Sequence, residues 1–210
     1  MSLVFGRLIA NLYDFVLDFL YCGHFLQKKV DLKIKTTGYT SSQSCRYFII
    51  ESIFKNISLY SEGNFLEVGC GQGRVLAFLK HRKTKWHLTG IECNPLALKI
   101  CHQWADNTEV TIIDKDVFAH NISKYNIFFV GHTFDEKDLL LFIKKIENEV
   151  VEKVIVILVL DKKIGNIISQ RRGWSISRQE TIHKFYSLPI LPQKNRYTIY
   201  CYSLNSYDNN

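Results

Sequence analysis

Short apolar runs recur along the middle of this chain, separated by longer stretches with helical spacing. Phe65 to Val68, Trp86 to Glu92, Val110 to Ile113 and Ile127 to Val130 read as strands. Between them, Arg74 to Lys80 reads as a helix, and Asn94 caps another whose first turn holds Pro95, a residue with no N–H to leave unpaired there. A further helix opens at Asp135 and sets Leu139, Phe142, Ile143, Ile146 and Val150 on its inner face. Val154 to Leu160 is apolar without interruption, the pattern of a strand covered on both faces. This alternation predicts an α/β fold, a parallel sheet with helices on both sides. Trp174 to Tyr186 and Tyr197 to Ser203 are extended and rich in β-branched and aromatic residues, with Pro189 and Pro192 between them. They predict an antiparallel pair that completes the sheet.

The first residues follow a different pattern. From Ser2 to Cys22 the strongly polar positions are Arg7, Asn11, Asp14 and Asp18, one thin stripe on a helix that is otherwise apolar. A membrane span is disfavoured by Arg7, Asp14 and Asp18. Two readings stay open for residues 2–22. One is packing on the chain's own domain or on a second copy as a homodimer. The other is an in-plane membrane-surface helix, with Lys28, Lys29, Lys33 and Lys35 near headgroups. The acidic character of the stripe favours the first. Beyond a turn at Gly38, Tyr39-Thr40-Ser41-Ser42 is expected to cap a helix carrying Tyr47, Ile50, Phe54 and Ile57. The expected organisation is an apolar helix and basic linker over 1–37, a globular domain over 38–204, and a disordered Asn-rich tail over 205–210.

Composition adds little to this plan. The chain has 210 residues, 47% of them hydrophobic and 22% charged, with three prolines, which suits a single core. The net charge of +7 comes from scattered Lys and Arg, so nucleic acid is not indicated as a partner. Six cysteines show no metal-ligand spacing and read as small apolar side chains in a reducing compartment, which points to a cytoplasmic protein with no bound metal.

The chemistry concentrates in Glu67-Val68-Gly69-Cys70-Gly71-Gln72-Gly73, directly after one strand and before the next helix. Glycines there permit a tight turn and let backbone N–H groups face a ligand at a helix N-terminus. The dinucleotide pattern G-x-G-x-x-G/A fails, because position 74 is arginine. Glu67 would repel a pyrophosphate and attract an ammonium or sulfonium, which favours S-adenosylmethionine over NAD.

With these residues the chain resembles the class I S-adenosylmethionine-dependent methyltransferases, with some likeness to small bacterial members and to protein-lysine methyltransferases. The resemblance implies a Rossmann-like seven-stranded sheet of order 3-2-1-4-5-7-6 with strand 7 antiparallel. It implies that Glu92, 25 residues beyond Glu67 in Gly90-Ile91-Glu92-Cys93, holds the ribose hydroxyls. In Lys115-Asp116-Val117-Phe118, Asp116 would meet the adenine amino group and Val117 the ring, with Asp114 as the alternative should the register slip by two. Tyr39 would close over the cofactor. The implied cofactor set is therefore Tyr39, Glu67, Gly69, Cys70, Gly71, Gly73, Glu92, Cys93, Asp116 and Val117, with S-adenosylhomocysteine as product.

After the fourth strand, many amine methyltransferases carry Asn/Asp-Pro-Pro-aromatic. This chain has Gly131-His132-Thr133-Phe134-Asp135, which keeps an aromatic residue but lacks the asparagine-like carbonyl and the prolines. His132 is the candidate catalytic residue, able to orient or deprotonate a hydroxyl acceptor. The resemblance implies transfer to a nitrogen or oxygen of an unidentified acceptor, whether a small molecule, a glycan or lipid intermediate, or a protein lysine. The alternative is a non-catalytic relative that binds the cofactor or keeps only the fold and serves as a partner subunit.

Overall fold

The computed structural model describes residues 3–26, 30–31, 41–42, 44–55, 57, 62–131, 133–159, 167–182, 184–185, 188–189 and 195–203. Seven strands form the main sheet: β1 (Gly63–Val68), β2 (Trp86–Glu92), β3 (Thr111–Asp114), β4 (Ile127–Val130), β5 (Val154–Val159), β6 (Trp174–Ile182) and β7 (Asn195–Tyr202). Their order is 3-2-1-4-5-7-6; β3 to β5 are parallel, and β7 runs antiparallel to both β5 and β6. The parallel sheet expected from the alternation, and the Rossmann-like order that the resemblance implied, are both observed.

Side chains alternate across this sheet with the period of two that a pleated strand imposes. Phe65, Ile127, Phe129, Ile155 and Ile157 enter one core layer, beneath α1 (Leu3–Cys22), α2 (Tyr47–Phe54), α3 (Arg74–His81) and α4 (Pro95–Ala105). Leu66, Val68, Phe128, Val130, Val156 and Leu158 enter the other, beneath α5 (Glu136–Glu149). Every expected inner position of α5, from Leu139 to Val150, is buried there. Asn94 caps α4 through Oδ1, accepting from the N–H groups of Leu96 at 3.0 Å and Ala97 at 3.3 Å.

One expectation about the N-terminal part needs correction. Ser41 and Ser42 do not cap α2; they pair with Val30 and Asp31 in a short antiparallel bridge. The helix starts after Arg46, which makes no side-chain cap, so the N-terminal N–H of Tyr47 is satisfied from another element, by Asp14 Oδ1 at 3.0 Å. α1 packs on its own domain through Asp14 and Asp18 together with Ala10 and the partly buried Ile9, Tyr13, Leu17 and Tyr21. Asp14 and Asp18 are fully buried, while Leu8, Leu12 and Leu20 are exposed. Tyr39, His132 and the 205–210 tail lie outside the described residues.

Candidate functional site

β1 lies where the sheet reverses its winding, with β2 on one side and β4 on the other, so the turn after Val68 opens into the crevice that doubly wound sheets use for ligands. Gly69, Gly71 and Gly73 all adopt left-handed backbone, with φ of 66°, 57° and 82°. Close packing adds a second demand at two of them. A Cβ on Gly69 would lie 2.3 Å from Thr133 Cγ2, and one on Gly73 would lie 2.5 Å from Trp104 Cζ2.

The turn is fixed by hydrogen bonds from several elements. Gly69 and Cys70 donate their N–H groups to the Ile91 carbonyl at 2.9 and 3.1 Å. Trp104 Nε1 donates to the Gln72 carbonyl at 3.0 Å, and Thr133 Oγ1 donates to the Val68 carbonyl at 2.9 Å. Sequence reasoning missed both residues. Each acts by holding main chain, and a Thr or Trp in a distant segment gives no signal of that role.

Glu92, the last residue of β2, is buried and accepts three backbone N–H groups. Oε2 takes that of Gly71 at 2.8 Å, and Oε1 takes those of Cys93 and Asn94, both at 2.9 Å. One carboxylate thus ties the glycine turn to the start of α4. A carboxylate offers about four acceptor positions, so one remains for a further donor such as a hydroxyl.

Glu67 sits under the turn, opposite Gly90 in β2 and Phe129 in β4. Only 6% of it is exposed, and its Oε2 has no hydrogen-bond partner. Burial pushes its carboxyl well above the usual glutamate range, against the pull of the Leu76 N–H. Its unanswered oxygen gains from a cation placed beside it.

The third acidic position follows β3. Asp114 closes the strand in register with Glu92, and Asp116 stands two residues on. Asp116 caps a single 3-10 turn, Val117–Ala119, by accepting the Phe118 N–H at 2.9 Å. Its carboxylate is exposed, whereas Val117 is buried in the α5-side core. Burial first, then the carboxylates of Glu92, Asp116 and Asp114, push the exposed Cys93 thiol up to about 11. The acidic residues from the ends of two strands are thus gathered around one point. Across the crevice, Phe134 packs on Phe118 and Phe142 with ring centroids 5.6 and 5.5 Å apart. Gly131 is open apart from Phe129 at 3.9 Å. A separate cleft of about 240 Å³, lined by Phe54, Phe78, Arg82 and Trp86, lies at the opposite, N-terminal end of the strands and takes no part in this arrangement.

Arg74, which breaks the dinucleotide pattern, turns away from the crevice. It is buried under α1, its Nε and Nη2 donating to Asp18 at 2.9 and 2.5 Å and its Nη1 donating to the Cys45 carbonyl at 3.1 Å. Its guanidinium also stands 5.1 Å from the centre of the Tyr47 ring.

Residues 65–148 match the family model described as a methyltransferase domain. The chain is similar to (S)-tetrahydroprotoberberine N-methyltransferase of Eschscholzia californica, with 29% identity over 133 residues, covering 55% of this chain and 38% of that protein. It therefore spans well under half the length of that relative. Among solved structures, it is similar in fold to an RNA methyltransferase from Salinibacter ruber in complex with S-adenosyl-L-homocysteine (TM-score 0.57, 13% identity, 76% of this chain and 94% of that one). It is also similar to a ribosomal protein L11 methylase from Lactobacillus delbrueckii subsp. bulgaricus (TM-score 0.56, 12% identity, 73% and 77%). A third is the plantazolicin methyltransferase BpumL in complex with SAH (TM-score 0.52, 13% identity, 74% and 80%).

Proposed function

We propose that this chain, which carries a class I methyltransferase domain, transfers a methyl group from S-adenosylmethionine to a nitrogen or oxygen acceptor. The observation that carries the reading is Glu92. Its carboxylate closes the turn through Gly71 N–H and keeps an acceptor position, at the crevice where the sheet reverses.

The residues present fit the cofactor. Glu92 would hold the ribose hydroxyls. Asp116, whose Oδ1 already accepts the Phe118 N–H, would take the adenine amino group with its other oxygen. Gly69, Gly71 and Gly73 keep the turn free of side chains, and Cys70 and Cys93 flank it. Glu67 offers its unpartnered oxygen beneath the turn, where an ammonium would draw out its proton. When bound, S-adenosylmethionine supplies a methyl group activated on a sulfonium, open to in-line displacement. What this chain contributes is positioning, the main requirement of such a displacement. Thr133 and Trp104 hold the turn rigid, so the acceptor meets a fixed reaction axis. His132 is the candidate to receive a proton from a hydroxyl acceptor; an amine acceptor needs no dedicated base.

The six cysteines are all unpaired, which supports a place in the cytoplasm. Calorimetric titration tests the proposal. S-adenosylmethionine and S-adenosylhomocysteine are both expected to bind with 1:1 stoichiometry, and NAD is expected to give no heat. A folded protein that binds neither adenosyl compound would overturn it.

A further inference from the structure

The α1 helix is docked with its polar side in. Asp14 and Asp18 are buried against the domain, and the exposed Asn11 stands at the rim of that contact. Asn11 accepts from Arg46 at 2.7 Å, Asp14 accepts the Tyr47 N–H and stands 3.4 Å from Arg46, and Asp18 takes Arg74 and the Leu26 N–H. Ala10 and Gly6 continue this inner line one and two turns before Asp14, where small residues allow close approach. Rotating the helix to bury its apolar side would strip Arg74 and two buried carboxylates of their partners, so the orientation is fixed by the polar contacts.

The outward side is consequently apolar. At 100° per residue, Val4, Leu8, Leu12, Phe15, Phe19 and Leu20 fall on one arc of roughly 160° that contains no charged residue. Among the described residues, nine of the fourteen exposed large hydrophobics lie between Val4 and Phe25. Phe15 is ringed by Phe19 and Phe25 at 4.9 and 5.4 Å, so the aromatic side chains form one surface. Scattered exposed apolar residues are ordinary, whereas a continuous ridge marks a contact surface.

We propose that this ridge seats the protein on the surface of a lipid bilayer containing anionic lipids, with α1 lying in the plane of the interface. Three observations select this occupant. First, the acidic residues of the helix, which would repel anionic headgroups, are turned inward and neutralised by Arg74 and Arg46. Second, the charge balance suits it. Arg7 is exposed along the flank of α1, and a net charge of +7 draws the chain toward a negative membrane surface. Third, a second copy is a poor fit. A 20-residue helix is roughly 30 Å long and 10 Å across, so two ridges in contact bury on the order of 1,000 Å² or less, below the roughly 1,600 Å² of a standard interface. Spanning is not the geometry, since no helix among the described residues is long and apolar enough to cross a membrane.

The test is co-sedimentation of the full chain with phosphatidylcholine vesicles, with and without phosphatidylglycerol. Wild type is expected to partition at least tenfold more strongly onto the anionic vesicles and to be released by high salt. The triple variant Leu12→Ser, Phe15→Ser, Phe19→Ser is expected to lose at least tenfold of that binding. Because these positions are exposed, its melting temperature should stay near wild type. If the triple variant does not fold, Leu12→Trp serves instead, with an emission that shifts to the blue on adding anionic vesicles. Absence of wild-type binding, undiminished binding by the triple variant, or an unshifted Leu12→Trp emission would overturn the proposal. A dimer in light scattering that the triple variant dissolves, with no vesicle binding, would instead assign the ridge to a second copy.

Discussion

Among the site residues, Glu67 has the most to reveal. Its folded pKa lies above its unfolded one, so its contribution to stability is complete below the ordinary glutamate range and is lost as pH rises toward the folded value. Glu67→Gln keeps the shape and removes that pH-dependent loss. The variant is therefore expected to melt higher than wild type at neutral pH, by about 2–4 °C for each kcal/mol relieved, and the gap should close as pH falls toward 4. Its affinity for S-adenosylmethionine is expected to fall about tenfold, or roughly 1.4 kcal/mol. Stability and binding moving in opposite directions separates a ligand group from a structural one. Differential scanning fluorimetry across pH, paired with titration calorimetry, measures both. At Gly69 a methyl group meets Thr133 at 2.3 Å from a left-handed backbone, so Gly69→Ala is expected to lose at least 1–2 kcal/mol in chemical denaturation. The glycines were legible in the sequence because a turn with that backbone accepts few other residues, and Glu92 was implied by the family resemblance at the end of β2. Thr133 and Trp104 were not, because they act only on main-chain groups brought near by the fold.

For the elements, the alternating strands were legible because a buried parallel sheet demands apolar runs of that length. The orientation of α1 was not. An amphipathic pattern says that two sides differ, but which side faces inward depends on what it meets, and its partners Arg46 and Arg74 stand tens of residues away. The start of α2 was misread for a related reason, since its first N–H is capped by Asp14 from α1 in place of a local serine. The buried pairing gives a direct test. Arg74→Met leaves Asp18 and Asp14 without their main cation, and about 3–5 kcal/mol of stability should be lost, a drop in melting temperature on the order of 10 °C. The double variant Arg74→Met, Asp18→Leu, which removes the nearest unpaired charge as well, is expected to recover much of it. Additive losses in that cycle would mean that the pair does not hold α1 in place.

At the scale of the whole molecule, the alternation of elements predicts the parallel sheet, the family resemblance implied its order, and the crevice lies where that order reverses. A ligand that binds only the folded form should therefore stabilise the entire domain. S-adenosylhomocysteine at a hundredfold excess over its Kd is expected to add about 2.7 kcal/mol, visible as a rise in melting temperature, while NAD adds nothing. The N-terminal ridge and the cofactor turn are linked through one residue, because Arg74 both opens α3 and anchors α1. Seating the ridge on a surface thus fixes the crevice relative to that surface, an arrangement suited to acceptors presented there. The central claim is that the turn after β1 receives an adenosyl group, and a crystal structure grown with S-adenosylhomocysteine tests it most directly. The account predicts density in the crevice with the ribose hydroxyls on Glu92 and the adenine amino group beside Asp116. Density for the compound elsewhere, or a turn filled by the chain's own side chains, would contradict it.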